Sequence, residues 1–145
     1  MNKVAIIDHV GNKAGMDYYS SSLAKGMLSK SIEPTVYSNF IGIEKGRISY
    51  KPYFDGHSKR KALVRLYHLV RATFKASIEA KRCKSKLVIV HLFSADIVTL
   101  LLVVIPKLFG LKTAIISHDV SSFSDNDNSV IQGLIYNTFS DYIIV

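Results

Sequence analysis

Short, unbroken apolar runs recur along this chain, and a stretch of helical spacing follows most of them. Val4 to Asp8, Leu87 to His91 and Lys112 to Ser117 are continuous in their apolar cores rather than alternating. Continuity of that kind marks a strand covered on both faces. Between the runs, Asp17 to Lys30 has an acidic start, a basic end, and Tyr18 or Tyr19, Ser22, Leu23, Gly26 and Met27 at helical spacing. Thr35 to Ser38 reads as a second strand. Phe40 to Gly56, broken by glycines and Pro52, reads as an irregular third strand around Arg47-Ile48-Ser49-Tyr50. Lys59 to Arg82 is a long helical pattern in which Leu63, Leu66, Tyr67, Val70, Phe74 and Ile78 form the apolar stripe. Ser94 or Asp96 caps a helix that runs to about Phe109, where Gly110 ends it. A polar loop over Ser121 to Asn128, a short helix from Val130 to Phe139 and a buried-type strand from Tyr142 to Val145 complete the pattern.

This rhythm predicts one α/β domain over residues 1–145, a doubly wound, mostly parallel Rossmann-like sheet with helices on both faces. A length of 145 residues suits a single core, and an apolar content of 48% excludes a disordered chain. The single cysteine, Cys83, excludes an intrachain disulfide and a cysteine-based zinc site, and fits a reducing cytoplasm. Ile97 to Leu111 is the most apolar stretch, but Pro106 and Lys107 interrupt it and it is shorter than the roughly 20 residues of a membrane span.

The net charge of +8 is concentrated. Residues 57–86 hold ten of the nineteen basic residues and one acidic residue. Lys61, Arg65, His68, Arg71, Lys75 and Arg82 project to one flank of the apolar stripe. That flank suits either a solvated face or peripheral contact with an anionic membrane surface at residues 59–86. No base-stacking aromatics are interleaved with the charges, so no nucleic acid is expected, although a basic nucleic-acid-binding domain is a third reading.

Ligands of doubly wound sheets sit at the carboxyl ends of the strands. That rule singles out Asp8 to Asp17, His91 to Asp96, and His118 to Ser124. In the first segment Gly15 precedes a helix. It either supplies a positive φ to a tight turn or lets backbone N–H groups approach a phosphate, together with Met16 and Asp17. The spacing matches neither G-x-G-x-x-G nor a P-loop. His118, directly after a strand and beside Asp119, is a candidate general base or hydrogen-bond donor to a sugar hydroxyl or phosphate. His91 reads equally as a functional or an internally satisfied histidine. No third residue completes a metal site or a nucleophile triad, so neither a metal nor another cofactor is expected.

Taken in order, several segments resemble the N-terminal domain of GT-B-fold glycosyltransferases of the retaining, family-4 type. They are Ala14-Gly15-Met16-Asp17-Tyr18-Tyr19 with Leu23-Ala24, then Val88-Ile89-Val90-His91-Leu92-Phe93-Ser94-Ala95-Asp96, then Thr113-Ala114-Ile115-Ile116-Ser117-His118-Asp119. Tyr136 to Val145 is similar to the family's last helix and strand before its interdomain hinge. The resemblance implies sugar transfer from a nucleotide-sugar co-substrate to a glycan or lipid-linked acceptor held by this domain, as in cell-surface polysaccharide or glycolipid synthesis. It implies that His118 lies against the donor sugar, with Gly15, Met16, Asp17, His91 and Asp119 lining the substrate cleft. Ala14 stands where the family has its first glycine, and Asp17 where glutamate is common. The family's donor site belongs to a C-terminal domain not contained in these 145 residues, so the expectation is a domain inactive alone, completed by that half in cis or in trans. The expected location is cytoplasmic, peripheral to the inner face of the membrane. The competing expectation is a non-catalytic Rossmann-like module that binds a membrane surface or a partner chain.

Overall fold

The structure, a computed structural model, describes residues 2–13, 15–42, 48–54, 61–118 and 129–144. Asp119, the predicted loop Ser121 to Asn128, Arg47, and the first residues of the long basic pattern, Lys59 and Arg60, lie outside them. The elements follow in the order β1 (Asn2–Ile7), α1 (Met16–Ser29), β2 (Ile32–Ser38), β3 (Ser49–Pro52), α2 (Ala62–Arg82), β4 (Leu87–Leu92), α3 (Ile97–Leu108), β5 (Lys112–Ser117) and α4 (Ser129–Gly133). The last helix widens into π-helical turns over Leu134–Phe139 and leads to β6 (Tyr142–Ile144).

All six strands pair in parallel, in the order β3-β2-β1-β4-β5-β6. The chain therefore starts in the middle, builds outward to β3, then returns to the other side of β1 and builds outward again. Right-handed crossovers demand that helices of the two halves lie on opposite faces. The side chains of β1 obey that division with a period of two. Val4 and Ile6 join Ala24, Val36 and Ile89 on the face of α1. Ala5 and Ile7 join Ala72, Ala76, Leu102 and Ile135 on the other. Pro34 is tolerated inside β2 because it precedes the stretch paired with β3, where one side of the strand has no neighbour.

Two sequence expectations change. The buried face of α2 is not the large apolar stripe but Ala72, Thr73, Ala76, Ser77 and Ala80. Small residues at four-residue spacing let the helix axis approach the sheet closely, and Thr73 and Ser77 return their hydroxyls to the Leu69 and Thr73 carbonyls. The large side chains go to the flanks, so Leu63 is 80% and Tyr67 61% exposed. Likewise β6 is not a core strand. It is the sheet edge, paired on one side only, with Tyr142, Ile143 and Ile144 exposed.

At the start of α3, Asp96 rather than Ser94 is the cap: its Oδ1 accepts from Thr99 N at 2.8 Å, and Ser94 Oγ braces it by donating to Oδ2 at 2.9 Å. Gly110 ends the helix at φ 69°. Leu102, fully buried on this helix, has no exposed side toward which its surroundings could relax. Leu102→Ala is expected to lower the unfolding free energy by about 3 kcal/mol, measurable by urea denaturation.

Candidate functional site

Because β2 and β4 leave β1 in opposite directions, the sheet has its topological switch point between β1 and β4. The residues that follow these strands converge there. Asp8, fully buried at the end of β1, accepts from Gly11 N at 2.8 Å through Oδ1 and from Ser20 Oγ at 2.7 Å through Oδ2. The first bond folds the β1–α1 loop back on itself. Gly11 sits at φ 61° against Asn39, whose Oδ1 lies 1.7 Å from where a Cβ would be and accepts from Asn12 N at 3.0 Å. Any other side chain at this positive φ would be strained and would displace the Asn39 amide.

Ser20 lies on the inward face of α1 with Met16 and Ala24. Its single proton is committed to Asp8, so its lone pairs face His91 Nε2 at 3.4 Å. His91 is fully buried in β4, and its Nδ1 lies 2.8 Å from Nε2 of His118, which follows β5. Satisfying all of these contacts selects one set of tautomers. His91 carries its proton on Nε2, toward Ser20, and its bare Nδ1 accepts from Nε2–H of His118. The remaining ring atom of His118, Nδ1, is then the one able to take a proton.

Rings close around this pair. Phe93 stacks on His118 with centroids 4.8 Å apart and planes 7° from parallel. Tyr19 meets both imidazoles edge-on, at 5.3 Å from His91 and 4.7 Å from His118. His9 lies edge-on to Phe93 at 6.5 Å, and its buried Nδ1 has no partner among the described residues. Burial holds His9, His91 and His118 below the ordinary histidine value, and the nearby Asp8 carboxylate opposes this only in part. The two central imidazoles are not equivalent, however. A proton on His91 Nδ1 would point at His118 Nε2–H, whereas a proton on His118 Nδ1 leaves the whole chain of bonds intact. The arrangement can therefore keep His91 neutral while the partly exposed His118 exchanges a proton with a group outside the pair.

The residues singled out in sequence fall into two groups. His91 and His118 come together, with His91 wholly enclosed. Gly15 is the N-cap of α1 at φ 75°, Met16 is buried beneath the first turn, and Asp17 lies in that turn. Asp119 lies outside the described residues. Asp8 and Phe93 fall within the strand-end segments that the fold rule singles out, whereas Ser20 and Tyr19 lie outside them. One signal was available for Ser20, a polar side chain four residues from Met16 and from Ala24 on an inward helical face. Among the described residues no three metal-ligating side chains form a cluster suited to a metal ion.

A parallel, doubly wound domain with an aromatic-walled histidine pair at its switch point is the class these observations define. Within that class the chain has the fold of a GT-B glycosyltransferase domain. It is similar to MurG of Acinetobacter baumannii, with a TM-score of 0.63 and 13% identity over 99% of this chain and 40% of that one. It is also similar to a UGT transferase from Siraitia grosvenorii, solved in complex with UDP, with a TM-score of 0.54 and 12% identity over 81% of this chain and 24% of that one. The chain thus spans well under half the length of either. No protein-family model matches it, and neither does any curated protein sequence.

The enclosed neutral histidine predicts a pH dependence of stability. A group whose folded value is depressed takes up its proton more readily in the unfolded chain, so stability falls as pH drops below about 6.5. Urea denaturation is expected to show a loss of about 1 kcal/mol between pH 6.5 and 5.5 for His91. The slope over that interval should be shallower in His91→Gln.

Proposed function

We propose that this domain is the acceptor-side half of a retaining, family-4-type glycosyltransferase, acting on a glycan or lipid-linked acceptor in cell-surface polysaccharide or glycolipid synthesis. The observation that carries the reading is the pair His91–His118 at the switch point of a sheet whose fold is that of GT-B enzymes. In this reading His118 faces the reacting sugar. His91, Ser20 and Asp8 are positioning residues, which orient the His118 ring and fix which of its nitrogens is basic. The co-substrate is a nucleotide-sugar, bound by a second GT-B half supplied in cis or in trans, and this domain does not turn over without it. Met16 is buried, so of the α1 start only Gly15 and Asp17 remain candidates to meet substrate.

Joined to a family donor-binding half, the domain is expected to transfer sugar in a radiolabelled or coupled assay, and His118→Ala to reduce kcat by about 100-fold or more. Ser20→Ala leaves every substrate contact in place but frees the His91 ring. It should lower kcat by about tenfold, shift the acid limb of the pH profile and leave KM unchanged. A joined protein that transfers sugar equally well without the His118 imidazole would refute the assignment.

The same reading gives α2 a role at the inner face of the cytoplasmic membrane. No helix of the described residues is long and apolar enough to cross a membrane. The first half of α2 nevertheless leaves Leu63, Val64 and Tyr67 exposed beside Lys61, Arg65 and Arg71. Apolar side chains flanked by lysine and arginine suit the headgroup boundary of an anionic bilayer. Flotation with phosphatidylglycerol vesicles at low salt is expected to recover the protein. Leu63→Asp/Tyr67→Asp should abolish recovery, and these exposed positions make the variant one that folds.

A further inference from the structure

At the opposite end of the sheet from the histidine pair, four lysines from separate parts of the chain line one concavity of about 490 Å³. Lys81 comes from the last turn of α2, Lys84 from the turn that follows, Lys86 from the residue before β4, and Lys112 from the first residue of β5. Register brings the last two together, because Leu87 pairs with Lys112. We propose that this concavity is an anion site for a multiply charged phosphate group, distinct from the cleft at the switch point.

Three observations support it. First, no carboxylate lines the concavity, and the acidic residues of the neighbouring elements are engaged elsewhere by other lysines: Glu33 by Lys3 at 3.9 Å, Glu79 by Lys51 at 3.3 Å and Asp141 by Lys107 at 2.6 Å. Among the described residues, none of the four lining lysines forms an ion pair. Helix C-termini attract lysine and account for Lys81. They do not account for Lys86 or Lys112, which stand at strand starts.

Second, Lys84 occupies the left-handed region at φ 59°, the position after a helix that ordinarily goes to glycine. Cys83 N and Ser85 N close the cap onto the Glu79 and Ala80 carbonyls, so the turn itself needs nothing from the Lys84 side chain. A strained backbone here presents a charge that the cap does not use. Third, the floor is glycine. Lys81 Nζ lies only 3.5 Å from where a Cβ on Gly110 would be, which places the ammonium group against the glycine that lines the concavity. Four like charges around one hollow repel one another, and an oxyanion with several negative oxygens removes that repulsion while accepting hydrogen bonds from each.

Two sources offer this chemistry, a soluble phosphate anion and a lipid phosphate headgroup. Pyrophosphate and monomeric dihexanoyl-phosphatidylglycerol, each titrated into the whole protein at low ionic strength, probe them separately. In 15N–1H spectra the amides of Ser85, Gly110 and Leu111 are expected to shift saturably with at least one probe. The probe that does so more tightly identifies the source. Lys84→Gly/Lys86→Gln/Lys112→Gln relieves the strained turn and keeps the cap, and should weaken that binding about tenfold or more. Lys30→Gln, exposed at the end of α1 on the other face of the sheet, should leave it unchanged. Absence of saturable shifts at these amides with both probes would overturn the proposal, as would a triple variant that binds as tightly as the native chain.

Discussion

The Asp8 carboxylate is the point on which the site depends. One oxygen closes the β1–α1 loop through Gly11 and the other takes the Ser20 hydroxyl proton. From that second bond the state of every later group follows. Ser20 can only accept from His91, His91 can only accept from His118, and the basic nitrogen of His118 is thereby specified three hydrogen bonds away from the carboxylate. A buried polar chain is stable only when each donor has its acceptor, and this one is satisfied in a single direction. Removing its first member would leave the rest free to reverse.

The sheet topology explains why such a chain can form. Asp8 follows β1, Ser20 belongs to the helix after β1, His91 is the penultimate residue of β4 and His118 follows β5. The first three strands and the last three diverge from the β1–β4 boundary, so the loops above it part and leave side chains from both halves facing each other. Phe93 and Tyr19 then wall the pair and lower the local polarity. Their effect on the imidazoles is the same as that of burial: the neutral form is favoured, which is the form a proton acceptor needs.

The opposite end of the molecule follows different physics. There, among the described residues, the lining lysines form no ion pair, and α2 links the two regimes along its length. Its inward face is alanine, serine and threonine because the helix lies close on the sheet, and its large apolar and basic residues are consequently displaced to solvent. Close packing in one place thus produces the exposed Leu63 and Tyr67 in another.

Much of this architecture was legible in the order of residues alone. The apolar runs, a cap at Ser94 or Asp96 and Gly110 mark the strands and the ends of α3 because they express local rules: covered strands are continuously apolar, a short polar side chain caps free N–H groups, and glycine tolerates a positive φ. His91 and His118 were legible as strand-end histidines for the same reason. Periodicity, however, reports how apolar a helical face is and not how near its neighbour stands, so it points to the large apolar stripe of α2 rather than to the small residues that are buried. Adjacency in the sheet is equally invisible in a linear pattern, so the apolar run of β6 reads as a core strand although it is an edge. Above all, Asp8, Ser20, His91 and His118 lie up to 110 positions apart in sequence. The sequence by itself determined that this chain is a parallel α/β domain with histidines at two strand ends. Only the tertiary structure decided that those histidines touch, because hydrogen bonds a few ångströms long are made by the strand order, which no local spacing encodes.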